Sequence, residues 1–209
     1  MDYDIIKQSS FSRKGIFLCL LSIGIVGLLV RLYFEPPTAL TGDATNYFVY
    51  AVDTGLKGKL SDVYFLGNSG WSLLLSAFFS MTKYDDPLFL MELQRSLSIF
   101  ISVVTIIPVY FLCRRFFNQS YSLVGASLFL FQPHIIINSS LGITEPLFLF
   151  LGISSLTLFL NNNHKIIYVS FAVAGLFTLI RFEGLLFFVM LSIMFFVKYR
   201  NEKRHFLKC

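Results

Sequence analysis

The chain alternates long apolar runs with short turns that hold most of its charge. A bilayer core of about 30 Å takes roughly 20 apolar helical residues. Six stretches reach or approach that length: 15–34, about 93–113, about 121–138, about 145–160, about 166–180 and about 184–197. Pro108 in the second is a kink of the kind membrane helices tolerate. A shorter run, "GWSLLLSAFFSMT" (70–82), reads as a juxtamembrane or partly inserted helix, with a full span as the alternative. The pattern predicts an all-α polytopic membrane protein with about six transmembrane helices and juxtamembrane helices in its first outer loop.

Composition supports that class. Of 209 residues, 56% are hydrophobic, 25 are Phe and only 14% are charged; mean hydropathy is +0.71. A soluble domain of this size could not hide so much apolar surface. The net charge of +5 reads first as a topology signal, and no nucleic-acid partner is expected. Lys7, Arg13 and Lys14 precede the first span, and Arg114 and Arg115 end the second. Lys165 separates the fourth and fifth, and Lys198, Arg200, Lys203, Arg204 and Lys208 follow the sixth. Six spans with both termini cytoplasmic place all of them inside, as the positive-inside rule requires. Glu35, Asp43, Asp53, Asp62, Asp85, Asp86, Glu145 and Glu183 then lie at or beyond the outer surface. The organisation expected is a cytoplasmic segment (1–14), a transmembrane domain (15–197) with its first outer loop at 35–92, and a basic cytoplasmic tail (198–209). The first run is too long for a signal-peptide core and lacks a small-residue cleavage site, so it is expected to stay as an anchor.

Cys19, Cys113 and Cys209 have neither metal nor redox spacing. His134, His164 and His205 form no ligand pattern, and neither a phosphate loop nor a nucleophilic triad is recognisable.

The chemistry gathers on the outer side. Pro36 and Pro37 stop the first span, and Thr41, Gly42 and Asp43 form a helix start with Asp43 as its cap. Asn46, Tyr47 and Tyr50 follow at helical spacing. Capping alone explains Asp43 about as well as function does. Glu145 precedes Pro146 at the start of the fourth span, where a carboxylate favours the helix dipole by up to about 1 kcal/mol. Arg181 and Glu183 interrupt apolar sequence between the fifth and sixth spans, and ionisable groups at membrane depth usually face a cavity or a partner. A salt bridge of Arg181 with Glu183 or with Glu145 is the plain explanation. Arg95, early in the second span, joins the same layer. Carboxylates beside guanidinium groups at the lipid surface suit a substrate that is anionic and lipid-linked. Arg binds phosphate through two parallel hydrogen bonds, and a carboxylate can take a proton from an attacking hydroxyl.

"TGDATNYFVYA" (41–51) resembles the first outer loop of GT-C glycosyltransferases, the membrane enzymes that use polyprenyl-phosphate sugars, and among them the dolichyl-phosphate-mannose–protein mannosyltransferase type. "GNSGWSLLLSAFF" is similar to the aromatic helix that follows there. "LQRSLSIFISVVTIIPVYFLCRRFF" resembles the second span, "SSLGITEPLFLFLGISSL" a later one, and "AGLFTLIRFEGLLFF" the GL-x-x-L-x-R-x-E-G run. Together these cover roughly 15–197.

The resemblance implies an inverting transfer of a sugar from a polyprenyl-phosphate donor to a protein, glycan or lipid acceptor. It implies Asp43 as catalytic base and Arg181 with Arg95 as donor phosphate ligands. Glu145, Glu183 and Tyr47 then orient the substrate. Ala44 and Thr45 stand where the family often has a second acid; no cofactor is expected, and a divalent metal is left open. Family members are normally much longer, so a fragment, a split-gene product or a reduced member is expected, with a partner chain supplying further spans. A non-catalytic subunit and a small lipid-carrier flippase are the alternatives; no broken-helix pair or inverted repeat speaks for the latter.

Overall fold

The computed structural model describes residues 12–34, 40, 42–60, 68–82 and 86–206, with side chains described as far as Tyr199. The expected Pro36–Pro37 exit, Thr41, Glu35, Asp62, Asp85, Lys7 and Cys209 lie outside the described residues, as do the side chains of the basic tail beyond 199. Among the described residues all regular structure is helical: α1 (Arg13–Tyr33), α2 (Asp43–Lys57), α3 (Gly70–Met81), α4 (Pro87–Val104), α5 (Ile106–Cys113), α6 (Gln119–Leu130), α7 (Pro133–Ser140), α8 (Glu145–Phe159), α9 (His164–Ile180) and α10 (Glu183–Phe206).

Among the described residues two helices are long and apolar enough to cross a membrane, α1 and the continuous Pro87–Cys113 formed by α4 and α5. The bent pair α6–α7 makes a third if it counts as one span. At 1.5 Å per residue α8 and α9 are only about 22 and 25 Å long, short of a hydrocarbon core of about 30 Å. The expected run 70–82 folds as α3, also too short. Only 11% of the apolar stretch of α1 is buried within the protein. Its Phe17, Leu21, Ile25 and Leu29 point outward, as a lipid-facing helix requires.

Several element boundaries differ from expectation, among them the end of α10, which runs on to Phe206 through most of the expected tail 198–209. The second apolar helix starts at Pro87, inside the expected loop 35–92, because the Asp86 side chain accepts from Leu88 N at 3.0 Å and Pro87 occupies the first turn, where its missing N–H costs nothing. A turn at Thr105, three residues before Pro108, separates α4 from α5; a proline ring crowds the carbonyl four residues back. The expected single helix over 121–138 is two, bent by 50°. Pro133 has no N–H to continue the ladder, and the Gln132 side chain accepts from Ile135 N at 2.7 Å to start α7 afresh.

That bend determines how α1 packs. Arg31, a fully buried residue of α1, meets the break. Its Nη2 donates to Leu130 O and Ser102 Oγ, both at 3.0 Å; Nε donates to Ser139 Oγ at 3.1 Å and Nη1 to Gly27 O at 3.0 Å. One guanidinium thus joins α1, α4, α6 and α7. Its hydrogen-bond partners are neutral hydroxyls and carbonyls, which disperse the charge of a planar, five-donor group.

The core that positions the candidate site centres on Trp71, with no solvent exposure, packed among Ala44, Phe48, Ala51, Leu75, Phe79, Leu147 and Ile180 from α2, α3, α8 and α9. A second cluster (Ile106, Val109, Tyr110, Ala126, Leu130) joins α5 to α6, and a third (Phe159, Ile167, Ala174, Leu191) joins α8, α9 and α10.

Candidate functional site at one end of the bundle

A cavity of about 390 Å³ opens where α2 and α8 begin and α9 gives way to α10. Asp43, Tyr47, Asn68, Thr144, Glu145, Arg181 and Glu183 are among the residues that line it. Each acid starts a helix: Asp43 α2, Glu145 α8 and Glu183 α10. The positive ends of three helix dipoles therefore face one space, which favours carboxylates there.

Asp43 is not the cap that the sequence suggested. Gly42 holds that position with φ 57°, and Asp43 is the first helical residue. Its exposed side chain lines the cavity instead of closing the helix. The entry to α2 is fixed by Thr45, whose hydroxyl donates to Leu40 O at 2.8 Å.

Both ion pairs that the sequence offered as alternatives form at once. Arg181 Nη1 donates to Glu145 Oε1 at 2.8 Å; Nη2 and Nε donate to Glu183 Oε1 and Oε2 at 3.0 and 3.4 Å. Glu183 thus lies along one forked edge of the guanidinium and Glu145 against another N–H. The guanidinium carbon stands 5.5 Å from the Phe148 ring centroid, a cation–π distance, and Phe148 is stacked on Phe177 at 4.2 Å. The hydrogen bond from Arg181 holds the Glu183 carboxyl below its ordinary range. The Glu183 hydrogen bond, together with the charges of Glu183 and Glu145, raises Arg181 against the opposing effect of burial. Burial, joined by the charges of Asp43 and Glu145, pushes the Tyr47 phenol up, against the pull of Thr144 and Arg181. Tyr47 therefore stays protonated at neutral pH and offers a hydrogen-bond donor.

The loop before Glu145 is tied down by side chains from two other helices. Gly142 has φ +74°, a backbone conformation that glycine adopts without penalty. Its carbonyl accepts from Gln94 Nε2 at 2.8 Å and from Trp71 Nε1 at 3.2 Å. Gln94 Nε2 also donates to Ala44 O at 3.0 Å. One buried amide so couples the first turn of α2, which carries Asp43, to the loop that delivers Thr144 and Glu145.

Arg95 is the expected site residue that the fold leaves out. It is 6% exposed within α4 and does not line the cavity. Gln94, about 100° away around the same helix, takes the position that faces the loop. Asn68, Thr144 and Phe148 were not anticipated. Thr144 stands beside Glu145 in sequence, and its hydroxyl lies 3.4 Å from Glu145 Oε2. Among the described residues no three His, Cys, Asp or Glu side chains are placed to share a metal ion. The lining can accept protons and hydrogen bonds from hydroxyl-rich groups through three carboxylates, and it presents one guanidinium and one phenol as donors. No family model matches this chain, and no curated protein or solved structure matches it.

Proposed function

We propose that this cavity is the active site of a GT-C-like membrane glycosyltransferase that moves a sugar from a polyprenyl-phosphate donor to an acceptor hydroxyl with inversion. One observation carries the reading: Asp43 and the Arg181 fork, remote in sequence, line one cavity at the end of an apolar helical bundle. The reading takes α1, α4–α5, α6–α7, α8, α9 and α10 as six spans with both termini cytoplasmic; of these, α1, α4–α5 and the bent α6–α7 pair have the length and apolarity of spans. That order puts the ends of α1 and α9 and the starts of α8 and α10 on the outer side, and Arg13, Arg114 and Lys165 inside.

In this mechanism Asp43 accepts the proton of the acceptor hydroxyl while its oxygen attacks the anomeric carbon. The bond from that carbon to the phosphate oxygen breaks, and the leaving phosphate keeps the electron pair. Charge develops on that phosphate, which is where a fixed guanidinium contributes most. The cavity holds three carboxylates and one guanidinium, so a phosphate that engages Arg181 through Nε and Nη2 displaces an acid. Glu183 is the candidate, with a side chain 57% exposed against 30% for Glu145. Its carboxylate occupies the two-pronged edge that suits phosphate. Glu145 keeps the guanidinium in place, and Tyr47 and the displaced Glu183 bind sugar hydroxyls.

The test is transfer of labelled sugar from polyprenyl phosphate in membranes that contain the chain. Asp43→Asn should lower the rate by about 10²–10⁴-fold, the usual contribution of a general base, with expression and melting unchanged. Wild-type turnover by that variant would remove Asp43 from the mechanism.

A further inference from the structure

An apolar cavity lies at the other end of the molecule. It is a groove of about 720 Å³ between α1 and α4–α5. Phe17, Leu21, Phe100 and Ile107 form its walls, and all four are exposed. One end is polar: Arg13 at the start of α1, Arg114 just past α5 and Gln119 at the start of α6 all line it, and no acidic residue does. Arg114 is directed by its own Nη1 bond to Phe117 O at 2.8 Å. Gln119 brings an amide oxygen that is buried and, among the described residues, accepts no hydrogen bond.

We propose that this groove binds one anionic phospholipid whose headgroup carries hydroxyls, from the leaflet opposite the Asp43 cavity. The acyl chains lie on the apolar walls, the phosphate sits between Arg13 and Arg114, and headgroup hydroxyls bond the amide of Gln119. Three features of the groove favour this occupant. Guanidinium groups pair with phosphate through parallel hydrogen bonds. The Gln119 amide stands beside the two arginines in the lining and can hydrogen-bond the hydroxyls of a glycerol or inositol headgroup. The leaflet follows from helix geometry. Gln94 contacts the loop of the Asp43 cavity, and Arg114 lies 20 positions further along Pro87–Cys113 and the residue after it. That is about 30 Å at 1.5 Å per residue, one hydrocarbon thickness. Basic groups at the cytoplasmic surface also meet the leaflet richest in anionic lipid. The proposal rests on membrane embedding and on the positive-inside topology proposed above, and stands whether or not the chain transfers sugar.

The experiment is native mass spectrometry of the full chain released from detergent, with phosphatidylglycerol, phosphatidylcholine and a polyprenyl phosphate as separate additives. One phosphatidylglycerol per chain should be retained in preference to the other two. Arg13→Gln with Arg114→Gln should weaken it about thirty-fold, at roughly five-fold per basic residue near the surface; Arg13→Lys with Arg114→Lys should recover most of that. Gly24 lines the groove, and a Cβ there would meet Val103 Cγ1 at an ordinary 3.7 Å. Gly24→Leu should therefore fold, push its side chain into the groove and abolish retention with both arginines present. Equal retention of phosphatidylcholine, preference for polyprenyl phosphate, or indifference to the arginine pair would overturn the proposal. So would a chain dimer that excludes lipid and is broken by Gly24→Leu.

Discussion

Arg31 Nη2 donates to the carbonyl of Leu130 at 3.0 Å across 99 positions of sequence. The acceptor exists because Pro133 ends the ladder that would otherwise have claimed it. Arginine and helix break are therefore one device: the break exposes a carbonyl inside the bundle, and the guanidinium satisfies it.

The two should be coupled energetically. Arg31→Leu leaves the Leu130 carbonyl buried without its donor, a cost of about 1–3 kcal/mol. Pro133→Ala restores an N–H-bearing residue and lets the ladder run on, so the same Arg31→Leu change should cost less in that background. A double-mutant cycle on thermal unfolding in detergent should give a coupling of about 0.5–3 kcal/mol, the range for contacting groups. Additive effects would mean that the carbonyl is satisfied in another way.

Gln94 should matter to the site without touching substrate. Its Nε2 bonds both Ala44 O and Gly142 O, so Gln94→Met keeps the volume and removes both bonds. The expected cost is about 1–3 kcal/mol, read from melting. The proposed sugar transfer should fall as well, because Asp43 and Glu145 lose their common anchor. Loss of stability with unchanged transfer per folded molecule would confine Gln94 to a structural role.

Much of this arrangement was legible in the chain, and what was not has identifiable causes. Charged pairs between apolar runs announced Arg181, Glu183 and Glu145, because an ion at that depth needs a partner. Helix type followed from apolar run length, while the ends depended on single residues such as Asp86 and Gln132, whose side chains accept from the backbone. Asp favours the cap position, which made capping as good a reading of Asp43 as function, yet the cap here is Gly42, at a positive φ that Asp disfavours. Arg95 and Gln94 are neighbours in sequence, and only packing decides which of them faces the Gly142 loop. Arg31 was the overlooked signal: an arginine within the first apolar run already calls for buried acceptors, but Leu130 O becomes one only through the bend.

Gly184 sets the approach of α10 to α9. A Cβ there would lie 2.8 Å from Phe177 O and from the backbone N and Cα of Thr178, atoms that cannot rotate away. Gly184→Ala should cost about 1–3 kcal/mol, as overpacking does, and shift the turn that carries Arg181 and Glu183. Melting measures the first effect and sugar transfer the second. A variant with wild-type melting would show that α10 can stand off without penalty.

The Arg181–Glu183 pair should weaken in acid. Arg181 lowers the Glu183 pKa in the folded state, whereas the unfolded chain titrates near the ordinary value of about 4.3. The unfolded state then binds more protons between those two values, so stability falls as pH drops. The pair's contribution is complete above the ordinary carboxylate range and disappears as pH passes down through the depressed value. Arg181 does not alter this window, because its own shift is upward from a value already far above neutral. The melting temperature of wild type should exceed that of Glu183→Gln at pH 7, and the gap should narrow as the pH is lowered below the ordinary carboxylate range. Glu183 is well exposed, so the gap should be small and should shrink further in high salt. A gap that does not change with pH would mean that Glu183 stabilises the turn through packing or helix start, and not through the charge on Arg181.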